Sequence, residues 1–172
     1  MKNIVITFFV TLGVLLFMHC PSTAYALTTK EVVRSVNSER QKAGLSQLIV
    51  NNKLEIASNM KLFDMQKYSY WSHDNPISKD KWWKFIVESD FDGLVGENLS
   101  RNFNSADDVV YAWMNSPLHR KNVLEKDYEE VGVSIGEVTY SGKSETVVVM
   151  EFVGSQKNIV QKTLEKLVKN EI

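Results

Sequence analysis

Three observations in this sequence predict an α+β fold. Between Thr28 and Asn115 apolar residues recur at helical spacing, in segments opened by Thr, Asn or Ser. From Glu130 to Val153 the period changes to strand alternation, with Val131, Val133 and Ile135 on one side and Val147-Val148-Val149 further on. The 172 residues are 44% hydrophobic and 24% charged, which suits one globular domain with a sizeable core.

The first 26 residues read as a leader rather than as part of that domain. Lys2 supplies a short basic region, Ile4–Met18 an uncharged apolar run, and Ala24-Tyr25-Ala26 a small-x-small cleavage site. The run covers fifteen residues, short of the roughly 20 that span a bilayer. His19 precedes Cys20, where a lipid-attachment signal wants a small residue. The expectation is a mature chain from near Leu27, without a transmembrane segment, secreted or associated with the cell envelope. Cys20 is the only cysteine and leaves with the leader, so a disulfide-free core must hold the mature protein. A net charge of −1 offers no general footprint for nucleic acid.

Thr28–Ala43 is the first expected helix. Val32, Val33, Val36 and Ala43 give its apolar spacing, Thr28 with Glu31 fits a capping box, and Gly44 ends it. Leu45–Val50 is a short apolar connection. A second helix runs from a cap at Asn51 or Asn52 to about Tyr68, with Leu54, Ala57, Met60, Leu62 and Met65 as its buried stripe. Tyr68–Pro76 is aromatic and then turn-forming, and Asp80–Glu88 is a third, short helix. Asp90–Gly96 is a loop, followed by Gly96-Glu97-Asn98-Leu99-Ser100. Ser105 caps a helix over Ala106–Asn115, with Asp107 and Asp108 in its first turn. Pro117 cannot continue that helix, so His119 is expected on the turn beyond it. Glu130–Tyr140 and Ser144–Val153 form a hairpin about the Ser141-Gly142 turn. In residues 155–172, Val160, Leu164, Leu167, Val168 and Ile172 make a helical stripe on a segment with four lysines and two glutamates, expected as a helix that packs on the domain, with an envelope-contacting or partner-binding helix as the alternative.

After leader removal two histidines remain, His73 and His119, with Glu97 24 residues after the first and 22 before the second. Two imidazoles and a carboxylate are a legitimate ligand set for zinc or another divalent metal with an open position. Without metal, the same groups make a polar network that fixes loops. No HExxH, GxSxG or cysteine nucleophile is present. Asn37 and Asn122 are candidates to tie loops to the core through their side-chain amides.

Five motifs occur in order: VNSERQKAGLSQL at Val36–Leu48, SHDNP at Ser72–Pro76, GENLS at Gly96–Ser100, WMNSPLHRKNVL at Trp113–Leu124 and VGVSIG at Val131–Gly136. Over Leu27–Gly154 the chain resembles the CAP superfamily of cysteine-rich secretory proteins, antigen-five allergens and plant pathogenesis-related proteins, also called SCP domains. It is most similar to the bacterial, disulfide-free branch, whose members are typically exported. The resemblance implies an α-β-α sandwich with a central antiparallel sheet and a wide cleft. It also implies a site in which His73 and His119 are the two histidines and Glu97 the first acid. Eukaryotic members commonly place a second acid three residues after the Trp of the fourth motif, where this chain has Ser116, a departure of the kind the bacterial branch shares. Asp74 and Glu151 are the candidates to compensate. His73, Glu97, His119, Ser116 and Asn98 are accordingly the expected cleft residues, with His73, Glu97 and His119 the candidate metal ligands.

Three functions are then open. The first is a non-catalytic binding module for a lipid, an envelope component or a protein, favoured by the lack of a nucleophile. The second is a divalent-metal-dependent hydrolase or protease using the two histidines and Glu97. The third is a structural cell-surface or spore-coat protein, in which the basic C-terminal helix makes the contact.

Overall fold

The structure, a computed structural model, describes residues 27–91 and 93–154. The expected leader and the expected C-terminal helix lie outside these residues. Five helices and four strands are described in the order α1 (Thr29–Lys42), β1 (Ile49–Val50), α2 (Asn52–Tyr68), α3 (Lys84–Glu88), β2 (Leu94–Arg101), α4 (Ala106–Met114), α5 (Pro117–Val123), β3 (Glu130–Tyr140) and β4 (Lys143–Gly154). The sheet order is β1-β3-β4-β2, antiparallel except for the two-residue parallel bridge of β1 to β3. Among the described residues no helix is long and apolar enough to cross a membrane.

Both faces of the sheet are covered, which is why β4 is a nearly continuous apolar run. Val148, Met150 and Phe152 point into a core shared with Val32 and Val36 of α1 and with Val109 and Trp113 of α4. Val147 and Val149 point the other way, against Leu62 and Met65 of α2, while Val153 meets Leu54 of α2 and Ile86 of α3. The α2 face of β3 is built from small residues. A Cβ on Gly132 would lie 2.1 Å from the Leu54 carbonyl carbon, and one on Gly136 would lie 2.9 Å from the Leu62 side chain. Ser134, between them, donates to Ser58 O at 2.8 Å. These positions let the α2 backbone lie against the strand, and they set α2 parallel to β3.

The caps are those expected. Thr28 accepts from Glu31 N, Asn51 from Lys53 N and Ser105 from Asp108 N, and Gly44 takes the left-handed conformation after α1. Four expectations need correction. The loop expected over Asp90–Gly96 is shorter, because β2 begins at Leu94 and Gly96–Ser100 is its body, paired along its length with β4. Its run GENLS alternates weakly because Asn98 and Ser100 are buried polar residues. The third helix is shorter than Asp80–Glu88 and starts only at Lys84. His119 is not on a turn: Pro117 starts a new helix, α5, with Ser116 as its N-cap. Proline fits the first position because that N–H has no helical partner. Finally, Met60 belongs to the outer face of α2, 38% exposed, and its place in the inward stripe is taken by Lys61, which is 1% exposed.

Candidate functional site

β2 is an edge strand, and its free side is closed by side chains instead of another strand. Three alternate carbonyls accept side-chain donors: Val95 O from the Tyr128 hydroxyl, Glu97 O from Asn122 Nδ2 and Leu99 O from Trp113 Nε1, each at 3.0 Å. Trp113 and Asn122 of the fourth motif are therefore the devices that satisfy an exposed strand edge. Gly96 lacks a side chain for the same reason, since a Cβ there would sit 2.1 Å from the Tyr128 hydroxyl. Asn122 Nδ2 also donates to Asn98 Oδ1 at 2.9 Å, and Asn98 Nδ2 donates to His119 O at 3.1 Å. Asn98 is fully buried behind α5. It positions the His119 backbone and does not line the cleft.

The SHDNP loop supplies the facing wall, and each residue has its own task. Asp74 accepts from Trp82 N at 3.1 Å and pairs with Lys81 at 2.8 Å, contacts that draw its carboxyl below the usual range. Asn75 Oδ1 accepts from Ile77 N and Ser78 N, and its amide donates to Asp64 Oδ2. Behind the loop the buried Lys61 ammonium donates to the Tyr70 hydroxyl at 3.2 Å, to Ser72 O at 3.0 Å and to His73 O. Tyr70 in turn donates to Asp64 Oδ2 at 2.6 Å, and burial, followed by the Asp64 contact, raises its pKa. His73 is thereby held with Nδ1 2.5 Å from Glu97 Oε1, its own side chain half exposed and the carboxylate almost wholly buried.

Below Glu97 lies a second carboxyl. Glu151 of β4 is its direct cross-strand partner, on the same face of the sheet and fully buried. Glu97 Oε2 and both Glu151 oxygens meet no hydrogen-bond donor among the described residues. Two facing carboxylates offer only acceptors, whereas one proton between them makes a donor–acceptor pair. Burial first, then the charge and carboxyl of Glu97, hold the Glu151 pKa well above the carboxylate range, with Lys61 pulling weakly against them. Of the two residues offered to replace the missing acid, Glu151 thus stands beside Glu97, and Asp74 is committed to Lys81 and Trp82. Ser116 lines the cleft as a neutral residue.

His73, Glu97, Ser116 and His119 come together around a cleft of about 660 Å³, with Trp82, Val95 and Leu118 as its apolar members. Burial, followed by the proximity of His73, lowers the His119 pKa and favours the neutral ring. A larger hollow of about 850 Å³ between α1 and α4 is lined by charged residues such as Arg34, Glu39 and Asp107, and gathers none of the expected site residues. Among the described residues no three His, Cys, Asp or Glu side chains group as metal ligands. Nδ1 of His73 addresses the Glu97 carboxylate, which leaves Nε2 as the ring nitrogen open to a ligand. Sequence reasoning missed Lys61 and Trp82. Lys61 had a signal, a lysine at the helical spacing of the buried Leu54, Ala57 and Met65.

Fold and cleft together define an SCP-type sandwich. The chain belongs to the CAP, or cysteine-rich secretory protein, family, whose pattern matches residues 33–152. It is 35% identical over 108 residues to YkwD of Bacillus subtilis strain 168, covering 60% of this chain and 40% of that protein. It is 30% identical over 115 residues to the membrane protein YlbC of the same organism, covering 65% of this chain and 32% of that one. The chain thus spans well under half the length of these curated relatives. Among solved structures, an extracellular SCP-domain protein from Bacillus anthracis superposes with a TM-score of 0.62 at 21% identity, over 74% of this chain and 40% of that one. An outer surface protein from Borrelia burgdorferi gives 0.59 at 19% identity, over 77% and 99%. The CAP domain of enterococcal PrgA gives 0.53 at 20% identity, over 75% and 62%. These likenesses establish the fold.

Proposed function

We propose that this CAP domain is exported and works without catalysis, binding an amphipathic envelope component, a lipid above all, in the cleft beside β2. One observation carries the reading. The cleft joins polar groups, His73, Glu97, His119 and Asn122, to an apolar rim that includes Leu118, a leucine 79% exposed. A polar head can bond to the first set while an apolar chain covers the second. Support for export comes from the leader-like first 26 residues and from relatives described as extracellular or outer-surface proteins. Ser72 and Ser116 line the cleft, but neither hydroxyl is hydrogen-bonded to His73 or His119 among the described residues, and His73 Nδ1 is engaged by Glu97, so no nucleophile–base pair supports catalysis.

The test is a tryptophan-fluorescence titration with a short-chain lysophospholipid below its micelle concentration. The expected result is a saturable change in emission, with affinity about 10- to 100-fold weaker in Leu118→Asp, since removing one buried leucine contact forfeits about 1.5–3 kcal/mol. An unsaturable signal, or equal affinities in the parent, Leu118→Asp and His73→Ala, would sink the proposal.

A divalent-metal hydrolase is the second reading, and the buried, donorless Glu97 Oε2 is the observation in its favour. It requires His73, Glu97 and His119 to converge on one point. Calorimetric titration with zinc decides between the two. Saturable binding that His119→Ala abolishes would establish the metal reading, and no saturable heat is expected if the cleft acts as a binding site alone.

A further inference from the structure

The cleft changes character from floor to mouth. At the floor the Glu97 side chain is 1% exposed, and the His73 side chain paired with it is 52% exposed. At the mouth Leu118 of α5, 79% exposed, stands on one wall and Trp82 lines the other. The Trp82 and Trp83 rings meet edge to face with centroids 5.5 Å apart, which sets Trp83, 42% exposed, beside that same wall. Polar groups lie deepest and apolar groups outermost. Tryptophan is a side chain that settles at a membrane–water interface, with its ring at the level of the head groups.

Charge at the mouth points the same way. The α5 sequence, PLHRKNV, contains no acid. Lys121 is exposed one turn after Leu118, on the same side of the helix, and has no carboxylate partner among the described residues. The facing wall is the loop that joins Asp74 to Trp82. Its acids are taken, Asp74 by Lys81 and Asp80 by Lys84, each at 2.8 Å. Lys79 of that loop is exposed, and its Nζ donates to Pro76 O at 2.6 Å rather than to a carboxylate. Each wall thus carries one ammonium that no carboxylate of the described residues neutralises, which suits an anionic surface. A bilayer lipid presents its head group outward and keeps its tails in the membrane. A cleft seated mouth-down on that surface receives the head group at its polar floor, while Leu118, Trp82 and Trp83 rest at the interface.

We infer that the mouth of the cleft docks on an anionic membrane surface through Leu118, Trp82, Trp83, Lys79 and Lys121, and takes the head group of a lipid still seated in its bilayer. The inference rests on the cleft reading for its ligand and adds the source of that ligand.

The test is tryptophan quenching of the full chain by vesicles of phosphatidylcholine and phosphatidylglycerol in equal parts, with a nitroxide-bearing lipid as quencher. The four tryptophans are Trp71, Trp82, Trp83 and Trp113, and residues 1–26 hold none, so the leader adds no signal. Strong quenching is expected in the parent and in Trp71→Phe. The double variant Trp82→Phe, Trp83→Phe keeps apolar rings at the mouth and should lose most of it. Lys79→Gln with Lys121→Gln should be quenched several-fold less, since each basic side chain at an anionic surface contributes about 5-fold. Quenching that survives the double Phe variant, or that is equal with and without phosphatidylglycerol, overturns the docking. The lysophospholipid titration keeps the two readings apart. Saturable binding of the monomer without vesicle quenching overturns the docking alone. Quenching without monomer binding supports the docking and overturns the cleft reading together with the head-group step.

Discussion

Arg40→Met is expected to lower the unfolding free energy by about 3–5 kcal/mol, read as a drop in the urea midpoint at unchanged slope. Arg40 has no exposed surface. Nε donates to Ser46 O at 2.9 Å, Nη1 to Val123 O at 3.0 Å and Glu125 O at 2.8 Å, and Nη2 to Tyr128 O at 3.2 Å. One side chain of α1 therefore closes the turn after its own helix, the end of α5 and the approach to β3. Burial lowers its pKa, and the charge of Glu125 works against that shift. Methionine fills similar space but removes the side-chain donor from four carbonyls, of which Glu125 O keeps the Tyr128 N–H, and each one left bare costs about 1–3 kcal/mol less whatever water recovers. Typical domains are stable by about 5–15 kcal/mol, so the variant stands close to unfolding. Arg40→Lys should rescue little, because a compact ammonium cannot span carbonyls that a planar fork reaches in several directions. A loss below about 1 kcal/mol in Arg40→Met would show that these bonds contribute no net stability.

Glu151→Gln should act in the opposite sense, stabilising the protein at pH 8 by about 1–3 kcal/mol, in the range found when buried charges give way to neutral groups of similar volume. The pKa of Glu151 is raised by folding, so the folded chain holds a proton that the unfolded chain has released. Stability from this group is then fullest below the unfolded carboxylate pKa of about 4.3, and it declines as pH rises toward the folded value. Glutamine supplies a permanent N–H toward Glu97 and removes that decline. The measurement is the urea midpoint of both proteins from pH 4 to pH 8. The two curves should diverge as pH rises, and parallel curves would mean that the Glu97–Glu151 pair is not strained by charge.

The cleft was legible in the motifs because their residues serve local and long-range ends together. In SHDNP, Asp74 and Asn75 cap nearby backbone N–H groups, a short-range pattern that sequence displays. His73, Glu97, Ser116 and His119 do share one cleft. Asn98 was assigned there too, but a strand sends alternate side chains to opposite faces, so Glu97 and Asn98 part company. Asn37 proved to be the expected tie, its amide and carbonyl both bonded to the Leu48 backbone. Arg40, three residues on, carried no comparable signal, because its acceptors at Val123, Glu125 and Tyr128 are more than eighty positions away.

By itself the sequence determined the four helices α1 to α4, the caps of α1, α2 and α4, the hairpin about Ser141-Gly142 and the membership of the family, since all of these depend on period, local hydrogen bonding or motif order; β1, β2 and α5 escaped it. It also held the inward stripe of α2, although Met60 was assigned to the wrong side. Tertiary structure alone decided that Glu151 lies under Glu97, that Lys61 holds the His73 loop, and that Trp113, Asn122 and Tyr128 close the edge of β2. Each of these is a contact between residues far apart in the chain, made by the register of a strand pair or by the packing of a helix on a sheet. A buried carboxyl looks like any other glutamate until its cross-strand neighbour is known.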